Sequence, residues 1–460
     1  MIKHDIEAYK LLHDGVLAFS RAEQQGLRID MDYINKQNTI IAKQITDLES
    51  EFYDSEFYRD WQKSEHSKKI NIYSPVQLGK YLYKVRKIKP PKETATGSGS
   101  TDEETLKRLG LPELSAYLKI KKLKKLKDTY IASLAREQHD GWIHPFINLH
   151  TVKSYRSSVN SPNFQNLPNR DEESMNLIRG AIFPRKGHQL LELDFSQLEV
   201  SISACYNKDD QLIHDILEGD MHKDMACQIF KIKKFDNENS DHKTLRRATK
   251  NGFVFPEFYG DYYKNCADRL ASIWGELPKT RWKEGQGIKF NDKHLSDHLI
   301  ANGIKSFNAF ERHIEKIEDV FWNDRYFKYA KWKENWWKKY QLKGYAKSKT
   351  GFVFQGVMRR NDVINYPIQA SAFHCLLWSF IQATQAQVRD RWKTRLVGQI
   401  HDSIILDVYP GELDKVIKIM KCIMCNDVRQ HWKWIIVPLK VKAELCPVDG
   451  SWSQKKDYAI

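Results

Sequence analysis

The segment Leu190-Leu191-Glu192-Leu193-Asp194-Phe195 constrains the fold of this chain more than any other. Its leucines read as a buried strand, yet the strand ends on Asp194, with Glu199 close behind. A second apolar strand, "GQIHDSIILDV" (398–408), carries His401 and Asp402. A lone buried carboxylate is costly and either neutralises or finds a partner. If Asp194 and Asp402 meet at ~5 Å, they repel by roughly 3 kcal/mol at an effective dielectric of about 20. A divalent cation would reverse that sign. Two hard oxygen ligands on adjacent strands make a Mg²⁺ site with room for water and phosphate oxygens. The alternative is a pair of strand-end acids facing water.

At 460 residues the chain is long enough for more than one packed unit. Its 41% hydrophobic and 29% charged residues are those of a globular protein. Lys and Arg total 74 against 59 Asp and Glu, a net charge of +15 that suits a polyanionic partner, nucleic acid before membrane, or equally a merely soluble basic protein. No apolar run long enough to span a bilayer is present, and the N-terminus lacks a secretion signal. Seven scattered cysteines predict no disulfide framework and suit a reducing, cytoplasmic setting. Cys422 and Cys425 form a lone C-x-x-C, read as core or surface thiols rather than a zinc site.

Helix is expected over residues 1–60, then a Pro/Gly/Ser-rich loop over 89–104, where Thr101 and Glu104 look like a capping box. The next helix has an apolar stripe of Leu114, Tyr117, Leu118, Leu123, Leu126 and Tyr130. Lys119, Lys121, Lys122, Lys124, Lys125 and Lys127 fill its other faces, either as a solvated surface or as a phosphate-tracking one. Short strands follow over 142–206, aromatic-rich helix over 207–345, and mixed helix and strand to the end, an α+β pattern. Tyr329, Trp332, Trp336 and Tyr340 share one helix face, which favours core packing over a base-stacking platform. In "RRATKNGFVFPEFYG" (246–260), Arg246 and Lys250 share a helix face able to grip a triphosphate, and Phe255 and Tyr259 offer a stacking surface.

Together these segments resemble the family A DNA polymerases, the DNA polymerase I type of bacteria and phages. "LELDFSQLEVSISA" resembles motif A, D-Y-S-Q-I-E-L-R. "RRATKNGFVFPEFYG" resembles motif B, and "GQIHDSIILDV" motif C, V-H-D-E. "SYRSSVNSPNFQNLP", "INYPIQASAF" and "VDGSWSQKK" resemble three further family segments. The match runs in order through the chain and is weaker over 1–135. It implies a right-hand polymerase fold with an antiparallel palm sheet, helical fingers and a helical thumb, in a phage-like polymerase core. The expected division is 1–45 as a leading helical segment, 46–140 thumb, 141–206 palm, 207–345 fingers and 346–460 palm.

The resemblance implies a template-directed DNA polymerase that adds deoxynucleotides by two-metal-ion nucleotidyl transfer. Asp194, Asp402 and the Phe195 carbonyl would hold two Mg²⁺, with Mn²⁺ as a substitute. Lys250 would protonate the leaving group, and Arg246, Lys250 and His222 would bind the triphosphate. Ser196, Gln197, Phe255 and Tyr259 would line the nucleotide, with Glu199 under the sugar to exclude a 2′-hydroxyl. Arg156, Asn163, Gln165, Asn365, Gln369 and His401 would touch the primer–template minor groove. Lys119, Lys122 and Lys125 would hold the duplex backbone. Partners are the primer–template duplex, dNTPs and a separate exonuclease or processivity factor; a monomer without membrane contact is expected.

The chain departs from the family at several points. One extra residue lies between Lys250 and Phe255, for which a π-bulge and a kink at Pro256 are expected, with Phe253 competing for the Phe255 role. Ser403 stands where the family often has Glu, predicting a slimmer metal anchor, and Asn361 where it often has Arg. The stretch from Gly260 to Gly344 is longer than usual. Polymerase-like sequence begins almost at residue 1, so no proofreading exonuclease is expected in this chain, and Asp236 with Glu238 is read as surface. The alternatives are an RNA or relaxed-sugar polymerase on the same scaffold, or a non-catalytic duplex-binding protein.

Overall fold

The computed structural model describes residues 3–65, 70–94, 96–168, 171–273, 288–290 and 292–460. Part of the long stretch after Gly260, residues 274–287 and 291, lies outside them. The chain forms two compact units, Met1–Ile40 with Leu126–Leu217 and Lys328–Ile460, and Ile41–Lys125 with Glu218–Phe327. Among the described residues no helix is long and apolar enough to cross a membrane. The seven cysteines are unbridged.

The first unit is built on a five-stranded antiparallel sheet. Its strands are β1 (Gln189–Ser196), β2 (Arg395–Ile400), β3 (Ser403–Val408), β4 (Lys440–Leu445) and β5 (Lys456–Tyr458), in the order β2-β3-β1-β4-β5. Central β1 alternates as its sequence predicts. Leu191, Leu193 and Phe195 are buried, while Glu192, Asp194 and Ser196 are half-buried on the opposite face. Asp194 sits opposite Ser403 on β3 and Lys442 on β4, so the polar residues of three strands share that face.

The helix Arg360–Arg389 runs for 30 residues through the same unit and packs on Ile6–Gln25, where the Phe19 and Phe380 rings lie 4.9 Å apart. Pro367 interrupts its hydrogen bonding, because proline has no N–H to give the Val363 carbonyl. The Trp336 indole N–H fills that gap at 3.0 Å. Trp336 also stacks on Trp332, and both meet Tyr206 edge-on, while Tyr329 and Tyr340 are buried. The aromatic stripe is therefore packing.

In the second unit, Phe52, Phe57, Trp61, Leu78, Tyr81, Leu106, Leu114, Tyr117 and Ile120 form one apolar cluster. The lysine-rich helix spans Pro112–Lys125 and buries Ile120, not Leu118, between Tyr117 and Leu123. The stripe follows steps of three, and Leu118 lies at the cluster margin. The preceding helix, Glu103–Arg108, opens one residue later than expected. Asp102 caps it by accepting from the Thr105 amide at 2.7 Å, and Thr101 is not the cap. Among its described residues the other segment of this unit is largely helical, from Met221–Ile229 through Ser240–Thr249 to Phe307–Val320.

Candidate active site

Asp194 lies near the C-terminal end of β1. Asp402 does not lie within a strand, as the apolar run around it suggested. It occupies the two-residue turn His401–Asp402, closed by the Ile400–Ser403 pair of β2 and β3. His401 adopts φ 49°, the positive φ such a turn needs at its first central residue. The Phe195 amide donates to the Asp402 carbonyl at 3.1 Å and ties the turn to β1.

Both carboxylates are half-buried, and neither has a hydrogen bond or ion pair among the described residues. Burial pushes Asp194 up to about 6, helped by the charges of Glu192 and Glu444 and opposed by Lys455 and Lys442. Burial likewise raises Asp402 to about 7, with Glu199 and Asp194 adding to it and Arg156 opposing. Two unpartnered hard oxygen donors that resist ionising on their own fit a divalent cation well. Among the described residues no group of three or more His, Cys, Asp or Glu side chains is placed to hold a metal ion.

Beside the aspartates lies a network that the sequence reading missed. Glu192 accepts from Ser403 Oγ at 3.1 Å, Trp452 Nε1 at 3.2 Å and Lys455 Nζ at 2.7 Å. Lys455 also pairs with Glu444. Burial raises the Glu192 carboxyl, but Lys455 and its other donors outweigh this and hold it below the usual carboxylate range. Ser403 is thus hydrogen-bonded to an acid, Glu192, on the neighbouring strand. Period-two spacing with Asp194 was the available signal.

Glu199 stands in the first turn of the helix Leu198–Asn207, after Gln197 in the left-handed conformation at φ 54°. Arg156 Nη1 donates to its Oε1 at 2.8 Å. Ser157 Oγ donates to Gln399 Oε1 at 2.7 Å and receives Gln165 Nε2 at 2.9 Å, while Gln399 in turn donates to the His401 carbonyl. One network therefore links Gln165 to the His401 turn through Gln399, which the sequence reading did not single out. Asn163 caps the short turn Phe164–Asn166 by accepting from the Asn166 amide at 3.1 Å. Asn365 and Gln369 sit one turn apart on Arg360–Arg389, half-exposed in a mostly buried run.

The second unit carries its own polar cluster. The helix Ser240–Thr249 continues as a π-helical turn, Lys250–Val254, in which the Phe255 amide donates to the Lys250 carbonyl. The wider turn absorbs the extra residue and keeps Phe255 in phase with Arg246 and Lys250. Lys250 Nζ lies 5.1 Å from the centre of the Phe255 ring. Phe253 instead packs in the core, edge-on to Phe321 at 5.3 Å. His222 is buried, meets Phe255 edge-on at 5.7 Å, and has no hydrogen-bond partner on either ring nitrogen among the described residues. Burial, then Arg246 and Lys250, lower it to about 4, so it is neutral near pH 7. Arg246 Nε donates to Asp220 Oδ2 at 2.8 Å. Burial raises the Asp220 carboxyl, but the bonds from Arg246 and the Lys223 amide prevail and hold it low. Tyr259 is exposed. Lys119 and Lys125 are exposed and Lys122 half-buried on Pro112–Lys125, and Asp236 and Glu238 are at the surface.

The sequence model of DNA polymerase family A matches residues 31–451. The chain is 26% identical over 426 residues to the DNA polymerase I of Lactococcus lactis subsp. lactis, covering 92% of this chain and 43% of that protein. It is 29% identical over 365 residues to the DNA polymerase I of Streptococcus pneumoniae, covering 76% of this chain and 37% of that protein. The chain thus spans less than half the length of these relatives. Among solved structures, the POL domain of Pol1 from M. smegmatis, in complex with DNA primer-template and dNTP, aligns with a TM-score of 0.73 at 22% identity. The alignment covers 98% of this chain and 70% of that one and shows the shared α+β polymerase fold. The relatives named here are bacterial, and the phage-like expectation gains no support from them.

Proposed function

Because the chain belongs to DNA polymerase family A, we propose that it extends a primer 3′-hydroxyl with deoxynucleotides on a DNA template. One observation carries this reading: two unpartnered, half-buried aspartates, Asp194 near the end of β1 and Asp402 in the turn between β2 and β3 that the Phe195 amide ties to β1, both with raised carboxyl pKa. Members of this family generally depend on divalent metals. Asp194, Asp402 and the Phe195 carbonyl would hold two Mg²⁺ or Mn²⁺ here. When bound, such ions would lower the pKa of the attacking hydroxyl and neutralise the leaving pyrophosphate.

The protein's own groups do the rest. Arg246 and Lys250 oppose the triphosphate charge, Lys250 delivers a proton to the leaving pyrophosphate, and neutral His222 donates one ring N–H to a phosphate oxygen. Glu199, fixed by Arg156, occupies the space of a ribose 2′-hydroxyl, with Ser196 and Gln197 beside it. Phe255 and Tyr259 present rings to the nucleotide. Arg156, Asn163, Gln165, Asn365, Gln369 and His401 contact minor-groove acceptors, which every correct base pair offers alike. Lys119, Lys122 and Lys125 contact duplex phosphates in a thumb spanning 46–140, with fingers at 207–345.

The test is primer extension with Mg²⁺ and either dNTPs or NTPs, using D194N and D402N as controls. Loss of extension in both variants with duplex binding retained supports the proposal. Extension unchanged in either variant would overturn it.

A further inference from the structure

We infer that Asp220 is a positioning residue for the triphosphate site, holding Arg246 side-on so that its outer N–H donors face the incoming nucleotide. The inference rests on the triphosphate reading of Arg246 given above. Asp220 precedes the helix Met221–Ile229 as its N-cap, and its Oδ1 accepts from the Lys223 amide at 3.1 Å. Its Oδ2 accepts from Arg246 Nε at 2.8 Å, across from another helix. One carboxylate therefore pins the start of the helix that carries His222 and the side chain of Arg246 together.

The chemistry of guanidinium gives this contact its meaning. Arginine carries five N–H donors in a rigid planar fork. Engagement through Nε uses its inner edge and leaves the outer edge for a phosphate. A free arginine side chain loses substantial rotamer entropy when a ligand fixes it, and an anchor already in place removes that cost from the binding step. The charge of Asp220 opposes those of Arg246 and Lys250 at His222.

Two physical effects of removing this charge have opposite signs, which makes the inference testable. Coulomb's law alone predicts that a polyanion binds more tightly once a nearby carboxylate is gone. Loss of positioning predicts weaker binding. D220N separates charge from capping, because Asn caps a helix as well as Asp does.

The full chain, D220N and R246A should be titrated with inorganic tripolyphosphate in the absence of metal by calorimetry. Steady-state primer extension on the same proteins then gives KM and kcat for a dNTP. D220N is expected to weaken tripolyphosphate binding about fivefold to tenfold. It should raise KM by a similar factor with kcat within about twofold, and leave the unfolding temperature unchanged. If R246A weakens binding while D220N leaves it unchanged or tightens it, the inference is wrong and Asp220 competes with the ligand. If R246A itself does not affect tripolyphosphate, the triphosphate reading fails, and the inference with it.

Discussion

Replacing Asp402 with asparagine should stabilise the metal-free protein while abolishing nucleotide addition. Asp402 is raised from its ordinary 3.8 to about 7. A difference of about 3 pKa units corresponds to about 4 kcal/mol of penalty for keeping the group ionised in the folded state. That is an upper bound, since solvent and side chains relax around the charge, and a gain of about 1–3 kcal/mol is expected for D402N at pH 8. The direction in pH follows from linkage. The folded state binds this proton more tightly than the unfolded chain, so wild-type stability falls as pH rises from about 4 to about 7. Asp194, raised to about 6, acts in the same sense. Chemical unfolding in chelator at pH 5, 6, 7 and 8 reads the effect. The gap between the two proteins should be smallest at pH 5 and widen toward pH 8, and Mg²⁺ should restore the wild type but not D402N. Extension should fall by at least about two orders of magnitude. A variant less stable than wild type at pH 8 in chelator would refute the electrostatic reasoning.

Glu199→Ala opens the space under the sugar, so ribonucleotide use should rise by at least about tenfold relative to deoxynucleotide use, scored by competitive primer extension. Arg156→Ala removes the Nη1 hydrogen bond to Glu199 but keeps the carboxylate, and should relax sugar choice less. Lys455→Met strips Glu192 of its buried cation and should cost about 3 kcal/mol in denaturant unfolding; a loss near zero would show that Ser403 and Trp452 suffice. Trp336→Phe should cost about 1 kcal/mol by orphaning the Val363 carbonyl. In a Pro367→Ala background, where an amide returns to that carbonyl, the same change should cost less, as a double-mutant cycle would show.

The palm strands were readable because β1 alternates apolar and polar residues with period two, and register then follows from keeping the leucines dry. The turn at Asp402 was not, since Ile400 and Ile404 make the run look unbroken and His-Asp is not a typical hairpin pair. Counting residues between Lys250 and Phe255 was enough to expect a π-turn. Choosing Phe255 over Phe253 needed the phase of that turn, which leaves Phe253 against Phe321. Glu192 went unread because an acid on the exposed side of a strand is ordinary until its neighbours are known. Those neighbours, Ser403, Trp452 and Lys455, come from strands and chain segments distant in sequence. Asp220 was not singled out, because an acid just before a helix is ordinary; only the meeting of two helices shows that it also holds Arg246.

The short link between β2 and β3 makes the sheet its own gauge. Sliding β3 by a single residue against β1 would carry Asp402 about 3.4 Å along the strand and turn Ser403 toward the leucines. The same pairing that keeps hydrocarbon out of water thus sets the distance between the two acids. If the two acids gather an ion as proposed, folding this sheet correctly and being able to bind that ion would be one event, and a mispaired sheet would lose both together.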